Sequence, residues 1–137
     1  MAKQDITILI ADRNSHVRKF LQREMTAAGY QVQLADNACQ VIKWAFNREP
    51  LDLVILDPDL PDADESDMLH HLFNRVPALP VVMHTYASEY GDVSKDMEGI
   101  YFVEKKGSSI ERLKQVVNEI LVAPSNRGSK KNDKMPK

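Results

Sequence analysis

Four consecutive apolar residues, Leu53-Val54-Ile55-Leu56, stop at Asp57, and prolines at positions 58 and 61 bar a regular continuation. A strand that is apolar at every position needs cover on both faces. That need selects a parallel sheet between two layers of helices over a sheet with one wet face. It also places the Asp57 carboxylate at the C-terminal edge of a strand, the edge at which open α/β sheets bind ligands.

The rest of the chain alternates in the same way. Residues 6–11, 31–34, 80–85 and 100–103 read as four more strands. The first helix is predicted over 15–28, where Val17, Phe20, Leu21, Met25 and Ala28 recur at helical spacing. Asn14 or Ser15 would cap it and Gly29 would stop it. A second helix over 37–46 turns Val41, Ile42, Ala45 and Phe46 inward. Met68, Leu69, Leu72 and Phe73 mark a third, closed by Pro77, and residues 88–98 a weak polar fourth that contains Gly91. The last helix, over 108–122, carries Ile110, Leu113, Val116, Val117, Ile120 and Leu121, with Ser108 or Ser109 as its cap. This (βα)5 alternation implies a doubly wound α/β fold around a five-stranded parallel sheet. Right-handed crossovers leave few arrangements, of which the flavodoxin-like order 2-1-3-4-5 gathers strands 1, 3, 4 and 5 at one crevice.

Size and composition narrow the function. A chain of 137 residues, 43% apolar and 28% charged, is one soluble domain with a proper core. No apolar segment is long enough to span a bilayer, and the N-terminus leads straight into a strand, so a cytoplasmic protein without a signal peptide is expected. The single cysteine, Cys39, excludes an internal disulfide and reads as a small, partly buried helix residue. Residues 1–123 carry 13 Lys/Arg against 19 Asp/Glu, whereas 124–137 carry Arg127, Lys130, Lys131, Lys134 and Lys137 against Asp133 alone. An acidic body argues against direct DNA binding. The division is therefore a body over 1–123 and a basic, disordered tail over 124–137.

The strand ends carry the chemistry. Strand 1 ends in Asp12-Arg13, strand 3 in Asp57-Pro58-Asp59, strand 4 in His84-Thr85 and strand 5 in Glu104-Lys105-Lys106. Carboxylates in one crevice are oxygen ligands suited to Mg²⁺. A hydroxyl and an ammonium beside them can hold phosphoryl oxygens and neutralise their charge. Asp12, Asp57, Thr85 and Lys105 together read as a phosphoryl-transfer site with Asp57 as the nucleophile.

Residues 5–122 resemble the receiver domain of two-component response regulators, through Ile-Leu-Ile-Ala-Asp at 8–12, Asp-Pro-Asp-Leu-Pro-Asp at 57–62, Val-Val-Met-His-Thr at 81–85 and Phe-Val-Glu-Lys at 102–105. The resemblance implies that Asp57 is the phosphoacceptor, Thr85 the switch hydroxyl, Lys105 the phosphate-binding lysine and Phe102 the switch aromatic. It implies Mg²⁺ held by Asp12, Asp57 and the Asp59 carbonyl, with a sensor histidine kinase upstream and a protein partner downstream. It is also compatible with a homodimer through the 88–122 face. Three positions depart from the pattern. Arg13 stands where a second acid usually binds the metal, Glu65 where a glycine is usual, and Lys106 where a proline follows the lysine. Arg13 puts a fixed positive charge at the metal position, where it could pair with Asp57 or Asp59.

Each residue has a plainer reading. Asp before Pro commonly starts a turn, so Asp57 gains meaning only with Asp12, Thr85 and Lys105. The acids from Asp59 to Asp67 lack the glycine and final glutamate of a calcium loop. His70 and His71 point apart on a helix, and His84 reads as a strand residue with a satisfied imidazole. Trp44, Phe46 and Phe73 read as packing residues, and Lys105-Lys106 as a surface pair but for its place after strand 5. Three classes of function remain. The first is a phosphorylated receiver, and the second a phosphorylation-independent pseudo-receiver in which Arg13 replaces the metal. The third is an aspartate-nucleophile phosphatase, for which no later acidic pair exists.

Overall fold

The computed structural model describes residues 5–47, 49–86 and 100–121. Its strands are β1 (Thr7–Ala11), β2 (Gln31–Ala35), β3 (Leu53–Leu56), β4 (Val81–Thr85) and β5 (Ile100–Glu104). Its helices are α1 (Ser15–Ala27), α2 (Ala38–Phe46), α3 (Ala63–Ser66), α4 (Met68–Phe73) and α5 (Ser109–Leu121). All strand pairs are parallel and the order is β2-β1-β3-β4-β5, as the alternation implies. The 88–98 helix and the 124–137 tail lie outside the described residues.

The period-two geometry of a strand explains why β3 is apolar throughout. Leu53 and Ile55 pack on one side with Ile8, Ile10, Leu21, Met25, Leu113 and Val117. Val54 and Leu56 pack on the other with Leu9, Val41, Ala45, Met68, Leu72 and Met83. Thus α1 and α5 cover one face of the sheet, and α2 and α4 the other. The four β3 side chains are at most 1% exposed. Full burial of a side chain of this size contributes about 1.5–3 kcal/mol.

Local signals set most boundaries. Asn14 caps α1, its side chain accepting from the amides of His16 and Val17. Gly29, with φ 105°, follows α1 and turns the chain into β2, a conformation open to glycine. Asn37 caps α2 by accepting from the Gln40 amide.

Some expectations are corrected. Phe46 is 51% exposed, because the buried stripe of α2 runs through Ala38, Val41 and Ala45 and leaves position 46 at its edge. Trp44 is the aromatic that packs against the core there. Phe20 is 40% exposed, since Leu21 and Met25 already fill the α1 contact. Cys39 is exposed, one residue past the buried Ala38. The third helix is two short ones, broken at Asp67, whose φ of 57° is a left-handed conformation that aspartate tolerates.

Ile55→Ala should therefore lower the unfolding free energy by about 2–5 kcal/mol. Phe46→Ala should change it by about 0.5 kcal/mol or less. Urea unfolding of the two variants checks this, and equal losses would contradict the assignment of the two faces.

Candidate functional site

The strand ladder carries Asp57 and Lys105 to their places. The Asp57 amide donates to the Ala11 carbonyl at 2.8 Å, and the Lys105 amide to the Thr85 carbonyl at 2.7 Å. Each bond extends a parallel pair by one residue past the strand end. β4 lies between β3 and β5, so the ends of all three face one crevice with the end of β1.

Asp12 and Asp57 are each only 1% exposed. Buried carboxylates persist only when paired and hydrogen-bonded. Lys105 Nζ lies 3.0 Å from Asp12 Oδ2 and 3.7 Å from Asp57 Oδ2. Backbone amides supply the rest. Asp57 Oδ1 accepts from the Asp59 amide at 3.0 Å, Asp57 Oδ2 from the Arg13 amide at 3.2 Å, and Asp12 Oδ1 from the Asn14 amide at 2.8 Å. The Lys105 side chain is 9% exposed, with its ammonium 5.5 Å from the centre of the Tyr86 ring, a cation–π contact. It is therefore no surface lysine, unlike Lys106.

Thr85 is buried at the end of β4, in register with Glu104. Phe102 is half-buried in β5, opposite Met83, and packs against the α2–α4 side of the core. The geometry thus brings together Asp12, Asp57, Asp59, Thr85 and Lys105, with Phe102 two positions before the end of β5.

Arg13 lies across the mouth of the crevice. Its Nη1 is 2.5 Å from Asp59 Oδ2 and donates to the Asp59 carbonyl at 3.4 Å, while its Nε is 3.5 Å from Asp57 Oδ2. Two of the oxygens that the resemblance assigns to Mg²⁺ thus face a guanidinium instead. Mg²⁺ demands near-octahedral oxygens at about 2.0–2.1 Å. Among the described residues no group of three or more His, Cys, Asp or Glu is placed to hold a metal ion. This arrangement does not fit Mg²⁺ while Arg13 is in place.

Several residues shape the site without a signal in their spacing. Arg18 Nη1 donates to the Asp12 carbonyl at 2.6 Å. Asp62 accepts from the Ala38 and Cys39 amides, tying the segment after Asp57 to the start of α2. The Ala38 amide in particular holds the Asp62 carboxyl below its ordinary pKa. His84 Nε2 is 3.1 Å from Ser109 Oγ, but its Nδ1 has no hydrogen-bond partner among the described residues. The expected satisfied imidazole is satisfied at one nitrogen only. His84 also lines a cavity of about 360 Å³ beside the crevice, with Phe20, Tyr86, Lys105 and Ile110.

Comparison with known proteins identifies the family. The response regulator receiver domain model matches residues 8–118, and the chain belongs to that family. The DNA-binding transcriptional regulator NtrC of Bradyrhizobium sp. (strain RP501 Parasponia) is 30% identical over 128 residues, which are 93% of this chain but 26% of that protein. The response regulator TrrA of Thermotoga maritima, solved in complex with Mg²⁺ and BeF, is 25% identical with a TM-score of 0.72, covering 85% of this chain and 99% of that one. The chemotaxis response regulator CheY4 of Vibrio cholerae shares the fold at 18% identity and a TM-score of 0.72, covering 85% and 98% of the two chains. Receiver domains are generally non-enzymatic signalling domains that interact with histidine kinases and bind Mg²⁺. Among the described residues no helix is long and apolar enough to cross a membrane.

The site also predicts a pH response. Burial, and then the Lys105 charge, push the His84 pKa from 6.5 down to about 4. The unfolded chain therefore binds a proton at this residue that the folded one refuses. The resulting stability is complete above pH 6.5 and is lost as pH falls toward about 4, by roughly 3 kcal/mol at most. Urea unfolding across that window should show a shallower pH dependence for His84→Val than for the wild type. Equal slopes would mean that His84 is protonated in the fold.

Proposed function

We propose that the chain is a response regulator receiver whose Asp57 accepts a phosphoryl group from a sensor histidine kinase or a small phosphodonor. The observation that carries this reading is the Asp57 carboxylate, buried at the end of β3, with the Lys105 ammonium 3.7 Å away. A carboxylate with a cation at that distance can take up a phosphoryl group and keep its oxygens neutralised. Lys105 would hold one phosphoryl oxygen and the Thr85 hydroxyl another. Drawing in Thr85 would strain the bond between its carbonyl and the Lys105 amide, and so bias the position of β5. Phe102, half-buried in that strand, would pass the change to the surface.

Output goes to a protein partner rather than to DNA, because the body over 1–123 is acidic. In this reading the basic residues 124–137 are an appended tail, the protein works in the cytoplasm and any separate substrate turnover is absent. Self-association, as a homodimer, is a further outcome that kinship allows. The Mg²⁺ implied by kinship would share Asp57 and the Asp59 carbonyl with Arg13.

One observation favours a second reading. With Arg13 paired to both Asp57 and Asp59, the domain could be held in one state and act as a phosphorylation-independent pseudo-receiver. Intact-protein mass spectrometry after incubation with phosphoramidate, Mg²⁺ present, separates the two. The first reading expects one added phosphoryl group, absent in Asp57→Ala, and taken up on the order of a hundredfold more slowly in Lys105→Ala. An unlabelled wild type would overturn it in favour of the pseudo-receiver.

A further inference from the structure

The two buried carboxylates of the crevice, Asp12 and Asp57, already face two cations that belong to the chain. Lys105 Nζ serves both acids, at 3.0 and 3.7 Å. The Arg13 guanidinium runs from Asp57 Oδ2 to the carboxylate and carbonyl of Asp59. Its backbone is fixed as well, because the Arg13 amide donates to the same Asp57 oxygen at 3.2 Å. The remaining acid, Asp59, has a side chain 57% exposed, so water screens it. The buried charge therefore balances without a metal ion, and a divalent cation would have to displace the guanidinium from Asp57 and Asp59.

Guanidinium can also perform the task at issue. It stays protonated at any relevant pH, and its planar fork of donors matches phosphoryl oxygens. At 39% side-chain exposure Arg13 reaches solvent while its Nε lies 3.5 Å from the buried Asp57 carboxylate, so it is placed to meet a phosphoryl group delivered there.

We infer that Arg13 is the resident cation of the site, and that Asp57 takes up a phosphoryl group without Mg²⁺. With phosphoramidate as donor, a carboxylate oxygen of Asp57 forms a bond to phosphorus as the phosphorus–nitrogen bond breaks. The nitrogen, already protonated in the zwitterion that phosphoramidate forms near neutral pH, leaves with the electron pair of that bond as ammonia. Arg13 and Lys105 balance the charge on the phosphoryl oxygens, and no further reactant is needed. This inference rests on Asp57 as the acceptor and adds which cation serves it.

The test compares the full chain with Arg13→Asp and Arg13→Gln, each incubated with phosphoramidate in EDTA or in Mg²⁺ and followed by intact mass. Calorimetric titration with Mg²⁺ alone is run in parallel. The wild type should label equally fast, within about twofold, in EDTA and in Mg²⁺, and should give no binding heat. Arg13→Asp should bind Mg²⁺, and in EDTA should label on the order of a hundredfold more slowly than the wild type. Arg13→Gln, which removes the charge without adding a ligand acid, should lose EDTA labelling and still bind no metal. A wild type that labels only with Mg²⁺, or that binds Mg²⁺ by calorimetry, would overturn the inference and leave Asp57 as the acceptor. So would a wild type inert in both buffers beside an Arg13→Asp that labels with Mg²⁺, since Arg13 would then be a block. If no form labels in either buffer, Asp57 is not an acceptor and the two readings fall together.

Discussion

The structure depends on one ammonium group shared between two buried carboxylates. Asp12 and Asp57 are each 1% exposed, and the Lys105 ammonium meets both, at 3.0 and 3.7 Å, so each buried charge has its opposite within reach. The three residues come from β1, β3 and β5, so their meeting requires β1 beside β3, and β5 a single strand beyond it. Sheet order and ion triad are thus two aspects of one constraint. A strand misplaced in the sheet would bury a charge without its partner, at about 3–5 kcal/mol, a cost comparable to a large packing defect in the core.

This coupling explains why so much was legible in the residues themselves. The unbroken apolar run of β3 implied cover on both faces, and the alternation of strands with helical stripes implied the winding. The polar residue after each strand then marked the site. What lay outside that logic was decided by contacts that a one-dimensional pattern does not carry. Phe46 is exposed because the α2 stripe is centred on Ala38, Val41 and Ala45, and a helix position next to a stripe can fall on either side of its edge. Asp67 breaks a helix that its neighbours would continue. The amides of Arg13, Asn14 and Asp59 complete the carboxylate shell, and no choice of side chain announces them. Arg18 and Asp62 act at a distance in sequence from what they hold.

The helices around the crevice are tied to it at several points. Arg18 of α1 holds the Asp12 carbonyl, Asp62 holds the start of α2, and Ser109 at the start of α5 meets His84 next to Thr85. Lys114 of α5 pairs with Glu24 of α1 at 2.9 Å, joining the two helices that cover one face. A displacement at the end of β4 therefore has direct mechanical neighbours in α5 as well as in β5. The kinship supports reading such links as a receiver's apparatus, while the chain spans only 26% of the NtrC relative, whose DNA binding is a property of that protein.

Arg13 changes what kind of balance the site keeps. An exchangeable ion leaves the charge of a crevice dependent on the ion's concentration, since occupancy follows mass action. A cation fixed to the chain is present at constant stoichiometry. Its single charge on a long side chain also has more freedom than a metal held by several oxygens at fixed distance. The guanidinium reduces that freedom by spanning two acids and a carbonyl and by sitting on a backbone whose own amide is bonded to Asp57. The loop from Asp12 to Asn14 is therefore a structural part of the site in its own right. In the metal-free reading its geometry, rather than the supply of an ion, sets how strongly the mouth of the crevice attracts an anion.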